Sequence, residues 1–215
     1  MALKAIGLNC TLKSGPELSN TEAMMDDLVA EMRKHDEIDY EVVRLTDFDV
    51  RPGVSEDEGD GDQWPQIAEK VVAADVLVFG TPTWLGHPSS IAQRALERMD
   101  AWLSVYNDKG QKLPYGRVAV VAITGNEDGG HHVFADVAQG LIDLGFTIPP
   151  EGRVYWSGWT DESPGPSYVE ANGKAHPGTK FMLEHAGHNA VAFAHMLREH
   201  EIPALASDRE KAAKD

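Results

Sequence analysis

Three short stretches of the sequence carry residue types that could bind a phosphorylated ligand, and each directly follows an apolar run. The first, residues 9–21, brings hydroxyls, an amide and a lysine to the start of a helical pattern. Free N–H groups and the positive end of the helix dipole favour an anion there. The alternative is plain helix capping, because Ser19 and Glu22 have capping-box spacing. The candidate phosphate ligands are Thr11, Lys13, Ser19, Asn20 and Thr21.

The second stretch, residues 80–88, combines glycines and prolines with a tryptophan just past a strongly apolar run. A stiff turn of this kind offers a surface against which a flat ligand could lie. A tight turn with Trp84 over the core is the alternative, since turns alone recruit glycine and proline. The candidate ring contacts are Pro82, Thr83, Trp84, Leu85 and Gly86.

The third stretch, residues 124–132, is rich in glycine, whose backbone N–H groups are unshielded by side chains. Such groups can bond the polar edge of a heteroaromatic ring, and an asparagine amide can both donate and accept. The candidate ligands here are Thr124, Gly125, Asn126, Gly129, Gly130 and His131.

Other kinds of site find little support. Neither GxxxxGK[ST] nor GxGxxG follows the first apolar run, which favours a monophosphate over a nucleoside triphosphate or a conventional dinucleotide. His185, His188 and His195 lack the HExxH pattern, and the acidic run 56–62 lacks EF-hand spacing. We therefore predict no metal site.

Composition narrows the class of protein. The net charge of −16 disfavours nucleic acid as a partner, and Cys10 is the single cysteine, which excludes an intramolecular disulfide and a cysteine-held cluster. The apolar run before Asn9 is too short for a signal peptide, and no run is long enough to span a membrane. We expect a cytoplasmic protein.

The elements that must position these stretches follow a βα alternation. We predict strands at 4–9, 40–45, 76–80, 118–124 and 146–148, with helices between them and a final helix marked by residues 181–197. The pattern indicates one α/β domain over residues 1–202. It includes a solvated acidic insert at 51–64 and a Gly/Pro/aromatic excursion at 149–178, which could be a lid, a hairpin or a subunit contact. A polar, frayed tail follows at 203–215.

Taken together, the three stretches resemble the flavodoxin-like NAD(P)H-dependent reductase family, which includes FMN reductases and WrbA-type quinone reductases. The matching motifs are Ser19-Asn20-Thr21, Pro82-Thr83-Trp84-Leu85-Gly86 and residues 124–130. The resemblance implies a flavodoxin-like three-layer open sandwich, with helices on both faces of a five-stranded parallel sheet of order 2-1-3-4-5. It assigns the three stretches to the phosphate, the ring face and the pyrimidine side of FMN. Residues 10–13 depart from the Ser-x-Arg pattern of many relatives.

The resemblance also implies an activity. FMN would take a hydride from NADPH or NADH and reduce a quinone-like or flavin acceptor, with no side chain certain to be catalytic and His131 a candidate for tuning the flavin. The resemblance further implies a homodimer or homotetramer, because in this family dimers and tetramers complete the active site. The alternatives are a flavodoxin-type electron carrier without NAD(P)H oxidase activity, and a flavin-free regulatory protein.

Overall fold

Strands and helices alternate along the chain, with bounds close to those predicted. The computed structural model describes residues 2–158 and 164–212, with side chains as far as residue 209. The strands are β1 (Leu3–Asn9), β2 (Ile38–Arg44), β3 (Val76–Trp84), β4 (His87–Pro88), β5 (Val118–Gly125) and β6 (Arg153–Ser157). The α-helices are α1 (Asn20–Met32), α2 (Trp64–Ala73), α3 (Ser90–Met99), α4 (Gly130–Leu144), α5 (Pro177–Glu199) and α6 (Ala206–Ala212).

The sheet has the order β2-β1-β3-β5-β6, and all of these neighbours pair in parallel. The two-residue strand β4 pairs antiparallel with the end of β3. With β4 set aside, this is the predicted order 2-1-3-4-5. The predicted fold class is confirmed.

Helices cover both faces of the sheet. On one face α2, α3 and α4 bury a cluster that includes Trp64, Met99 and Leu141. On the other face α1 and α5 bury Met24, Leu28 and other apolar side chains against the opposite side of the strands. Strands β3 and β5 are therefore buried on both faces, as expected for the centre of a parallel sheet. Within the part of the chain that the structure describes, no helix combines the length and apolar character needed to cross a bilayer.

The prediction of a fifth strand at 146–148 was wrong. Only Thr147 of this segment forms a bridge, to Val118, and the edge strand is β6, within the predicted excursion. Pro149 and Pro150 explain the difference, because proline has no N–H to donate to a strand ladder. The segment therefore runs beside β5 for one residue, and regular pairing starts after the prolines.

The acidic insert is anchored at its end. Side chains at 54–57 and 59–61 are exposed, but Asp62 and Arg98 form an ion pair of 2.7 Å in which both side chains are fully buried. Burial alone would raise the pKa of Asp62. Hydrogen bonds from the N–H of Glu58, from Arg98 and from the N–H of Trp64 outweigh it and lower that pKa to about 2. The tail also differs from the prediction, since α6 lies within it.

Helix α1 lies directly on the sheet, and glycine makes this approach possible. A Cβ built on Gly80 would lie 2.2 Å from the sulfur of Met25 and 2.9 Å from a methyl carbon of Thr21. A Cβ built on Gly7 of β1 would likewise lie 2.6 Å from the terminal methyl carbon of Met25. The N-terminal turn of α1 is thus held at a defined distance from β3.

Candidate functional site

A cleft of about 420 Å³ opens at the carboxyl ends of β1, β3 and β5. It is lined by residues 11–13, 20–21, 82–85, 124–127 and 167–168. The connections from β1 and β3 leave toward opposite faces here, which is the position where open α/β sheets bind ligands. A larger hollow of about 720 Å³ lies between residues 106–111, in the segment before β5, and residues 201–209 near the C-terminus. The second hollow is away from all three predicted stretches.

Ser19 is the N-cap of α1 and does not line the cleft. Its buried hydroxyl accepts hydrogen bonds from the N–H of Glu22, at 3.1 Å, and from the Asn9 amide, at 3.3 Å. This is the capping role that the sequence offered as the alternative. Asn20 and Thr21, the next two residues, do line the cleft, and their N–H groups belong to the helix turn that has no internal partners.

The carboxylate of Glu22 is turned away from the helix start. It lies 2.6 Å from Nη2 of Arg44 and accepts from the Asn9 amide at 2.8 Å, so it does not complete the capping box. Arg44 compensates the negative charge of this side chain. The positive end of α1 therefore stays available to an anion in the cleft.

Lys13 is the one basic side chain among the described residues that line the cleft. Its Nζ lies 3.4 Å from the carbonyl oxygen of Leu18, and its N–H donates to the hydroxyl of Thr11 at 3.3 Å. Thr11 is in turn held by the side chain of Asn9, which accepts from its N–H at 3.1 Å. The first predicted stretch thus gathers four of its five candidates around one end of the cleft.

The floor of the cleft is a contact between two threonines. The hydroxyls of Thr21 and Thr124 lie 2.8 Å apart and both side chains are buried, so α1 and β5 are joined directly. Because these hydroxyls bond each other, they contribute to the shape of the site more than to its hydrogen-bonding capacity.

Apolar side chains form an exposed wall at the other end. Trp84 is 54% exposed and Leu85 is 88% exposed, although both line the cleft. Leu85 has a positive φ of 51°, and its N–H donates to the carboxylate of Glu127 at 2.8 Å. This bond ties the turn after β3 to the loop after β5. Exposed apolar surface beside a few polar groups is characteristic of ligand sites.

Four candidates lie behind this wall, outside the cleft. A Cβ on Gly129 would lie 2.8 Å from the Cα of Gly86, so the two glycines let their loops touch. Gly130 packs against Tyr155, and the ring of His131 stands edge-on to the same tyrosine at 5.1 Å. These residues shape the loops that carry the lining residues. His131 does not line the cleft, and its candidate role in tuning the flavin stays a prediction.

Sequence reasoning missed Leu12, Glu127, Ser167 and Tyr168, which also line the cleft. Tyr168 donates from its hydroxyl to Asp27 at 2.8 Å, and the side chain of Asn20 accepts from the N–H of Val169 at 2.9 Å. Burial, and then the bond to Asp27, raise the pKa of Tyr168. The aromatic character of the excursion was visible in the sequence, but its folding back onto α1 was not.

Comparison with known proteins agrees with this geometry. A model of the NADPH-dependent FMN reductase family matches residues 3–161, which include all three stretches. The chain belongs to this family. Its enzymes bind FMN and use NAD(P)H, so the family, cofactor and donor predicted from the sequence are confirmed at the level of the family.

Two curated relatives are similar to this chain in sequence. Over 208 residues the chain is 36% identical to 8-demethyl-8-aminoriboflavin-5'-phosphate synthase of Streptomyces davaonensis, covering 93% of this chain and 80% of that protein. Over 172 residues it is 39% identical to the divalent metal cation transporter MntH of Mycobacterium bovis, covering 78% of this chain. The chain spans only 25% of that second relative's length.

Solved structures show the same fold. RosB with bound 8-demethyl-8-formylriboflavin-5'-phosphate superposes with a TM-score of 0.87 at 34% identity, covering 99% of this chain and 87% of that one. An NADH:FMN oxidoreductase, EMOB, superposes with a TM-score of 0.61 at 12% identity, covering 93% and 91%. The second likeness concerns the fold alone.

Proposed function

We propose that the protein binds FMN in this cleft and is an oxidoreductase that passes electrons from NADPH or NADH to a small acceptor, either quinone-like or a flavin. The observation that carries the proposal is the cleft itself, which joins a helix N-terminus and a lysine at one end to an exposed tryptophan wall at the other. FMN has the matching halves, a phosphate and a flat ring.

The residues present fit such a ligand. The volume of about 420 Å³ lies within the range of small-molecule sites. Trp84 and Leu85 expose apolar surface that a ring would cover, and Arg44 pairs with Glu22, which offsets a negative charge that would repel a phosphate. When bound, FMN supplies the hydride and electron chemistry, and the chain supplies binding and orientation.

At the phosphate end, the N–H groups of Asn20 and Thr21 and the ammonium group of Lys13 would hold the anion, with Thr11 beside them. The rest of the chain carries excess negative charge, so this local positive field decides where an anion settles. Asn20 is itself fixed by the N–H of Val169, which keeps its backbone in place.

At the ring end, Thr83, Trp84 and Leu85 would flank one side of the flavin and shield it from water. Gly125, Asn126 and Glu127 would face its polar edge, where the Asn126 amide can donate or accept. The carboxylate of Glu127 is already engaged by the N–H of Leu85, so its role is to hold the wall in place.

The test is an anaerobic titration. FMN is added to the purified protein, and NADPH and then NADH are added while the flavin absorption is followed; a quinone or free flavin is then supplied. We expect bleaching by a nicotinamide donor and recovery of colour with the acceptor. Bound flavin that neither donor reduces would instead favour the flavodoxin-type carrier, and failure to bind FMN would contradict both.

A second candidate function is chemical modification of FMN, with the flavin as substrate. It is favoured by the 36% identity to a synthase of 8-demethyl-8-aminoriboflavin-5'-phosphate and by the TM-score of 0.87 to RosB. Replacing a ring methyl group by an amino group requires an oxidant and a nitrogen donor, so mass spectrometry of flavin recovered after aerobic incubation with an added amino-group donor separates the two. Unchanged FMN supports the reductase, and a flavin altered at the ring supports the second candidate.

The homodimer or homotetramer implied by the family resemblance remains a prediction, as does a cytoplasmic location. Light scattering coupled to size-exclusion chromatography measures the first directly. A monomer that binds FMN and turns over at full rate would contradict the expected oligomer without affecting the proposed site.

A further inference from the structure

Two histidines and an aspartate converge on the surface behind the cleft wall. Nδ1 of His132 lies 3.6 Å, and Nδ1 of His87 3.9 Å, from the same oxygen of Asp136. One nitrogen of each ring and that oxygen all lie within 4.8 Å of one another. All three side chains are exposed, and the two imidazole rings meet edge to face at 4.9 Å.

Two separate elements bring these side chains together. His132 and Asp136 are four residues apart in α4, so they lie on one face of the helix. His87 comes from β4, the two-residue strand that turns back along β3 and pairs with Trp84. An i,i+4 ion pair accounts for His132 and Asp136 alone, whereas the approach of His87 from another element creates a three-sided site.

We propose that His87, His132 and Asp136 bind a divalent transition-metal ion such as Zn²⁺, Co²⁺ or Ni²⁺. Imidazole nitrogen suits these ions, whereas Mg²⁺ and Ca²⁺ prefer sites built from oxygen. Bond lengths of about 2.0–2.2 Å in a tetrahedral site place ligand atoms roughly 3.3 Å apart. The observed separations of 3.6 and 3.9 Å need only small rotations of exposed side chains to reach that value.

Metal binding at this position is linked to the cleft wall. Nδ1 of His132 also lies 3.0 Å from the carbonyl oxygen of Gly86, the residue between Leu85 and His87. The 3.0 Å gap is too short to hold an ion between these two atoms, so coordination by Nδ1 requires the exposed His132 ring to turn away from this carbonyl. The hydrogen bond to Gly86 is then exchanged for metal–ligand bonds that connect β4 to α4. Three protein ligands leave a fourth position open to water or to an exogenous ligand.

The test uses FMN-loaded protein freed of any affinity tag, titrated with Co²⁺ and followed by its visible absorption, and with Zn²⁺ by calorimetry. We expect one site for each ion, competition between them, and no heat with Mg²⁺. H132A and D136N are each expected to weaken binding at least about tenfold, the lower end of the loss seen when even an outer partner of a metal ligand is removed.

The matched control is H185A/H188A, which removes two exposed histidines from one face of α5 and leaves the proposed ligands intact. Unchanged Co²⁺ spectra in this control, together with loss in H132A and D136N, support the site. Equal binding by all variants, loss in the control, or no binding to the wild-type protein would each overturn it. Circular dichroism verifies that the variants are folded.

Discussion

The acidic insert and the turn after β3 invert the usual relation between residue type and exposure. The insert carries five acidic residues between positions 56 and 62, yet the last of them, Asp62, forms a fully buried pair with Arg98. The turn carries two large apolar side chains, yet both of them, Trp84 and Leu85, are exposed. Burying a charge is costly unless it is paired and hydrogen-bonded, and exposed apolar surface loses the free energy of burial. The burial of the charged pair and the exposure of the apolar side chains must therefore each be explained by a role in the fold or in binding.

The two regions differ because one stabilises the fold and the other is available to bind a ligand. The guanidinium of Arg98 donates to the carbonyl oxygens of Arg51, Ser55 and Glu56, so it organises backbone that has no regular structure. Trp84 has no comparable duty in the described structure, and its exposed ring faces the cleft. We interpret the first region as a structural anchor and the second as a ligand surface.

The largest effect is expected from breaking the anchor. R98A leaves the carboxylate of Asp62 buried without its partner and frees three backbone carbonyl groups, so we expect the free energy of unfolding to fall by about 3–5 kcal/mol. Chemical denaturation measures it. The matched control, E41A, breaks the exposed pair of Glu41 with Lys70 and should change stability by less than about 1 kcal/mol. A loss in R98A no larger than in E41A would contradict the anchor.

Acid should weaken the same anchor. The pKa of Asp62 is about 2 in the folded protein, below its ordinary value of 3.8, so ionised Asp62 stabilises the fold above about pH 4. That contribution is lost as the pH falls from 3.8 through 2. We expect D62N to show a flatter dependence of stability on pH than the wild type in this window, measured by denaturation at each pH. Parallel curves would show that other carboxylates dominate.

The ligand surface is tested by W84A. Stacking of an aromatic side chain contributes about 1 kcal/mol beyond the apolar area that it buries, so we expect the Kd for FMN to rise at least about fivefold while stability changes little. Quenching of flavin fluorescence measures the Kd. F181A, which removes another half-exposed aromatic from α5, is the control and should bind FMN normally. Equal Kd values for both variants would remove Trp84 from the proposed site.

The smallest effect is expected where the two kinds of region meet. Tyr168 lines the cleft and is also buried, with its hydroxyl on Asp27. Y168F removes this hydrogen bond while Asp27 keeps Lys174 at 3.0 Å, so we expect a loss of stability of about 1 kcal/mol. Thermal unfolding measures the loss of stability. An unchanged Kd for FMN would show that Tyr168, like Arg98, acts as a structural anchor and not as part of the ligand surface.

Local patterns were sufficient to predict most of the fold. Short apolar runs flanked by helical periodicity placed β1, β3 and β5 within a few residues, because strands buried on both faces have an unmistakable composition. The edge strand β6 was misplaced because the apolar residues 146–148 predict a strand, whereas Pro149 and Pro150 directly after them prevent regular pairing there. The parallel order came from the family resemblance, since alternation alone does not fix it.

The site was predicted less completely for a different reason. Residues such as Thr11, Asn20 and Trp84 follow strand ends, so topology alone brings them together. Ser19 and Gly86 have suitable chemistry but are used for capping and loop contact. Tyr168 enters the cleft from a distant segment, and the meeting of His87 with α4 depends on a two-residue strand. No local pattern encodes these long-range approaches.

The contact of Gly80 with Met25 and Thr21 has a consequence for selectivity. It sets how far the first turn of α1 stands from β3, and the same strand ends in Trp84. The backbone of β3 thus joins the two ends of the cleft and fixes the distance between them. We therefore expect a ligand that engages both ends to be selected by its length as well as by its charge, so that a ring with a terminal phosphate is preferred over the same ring without one.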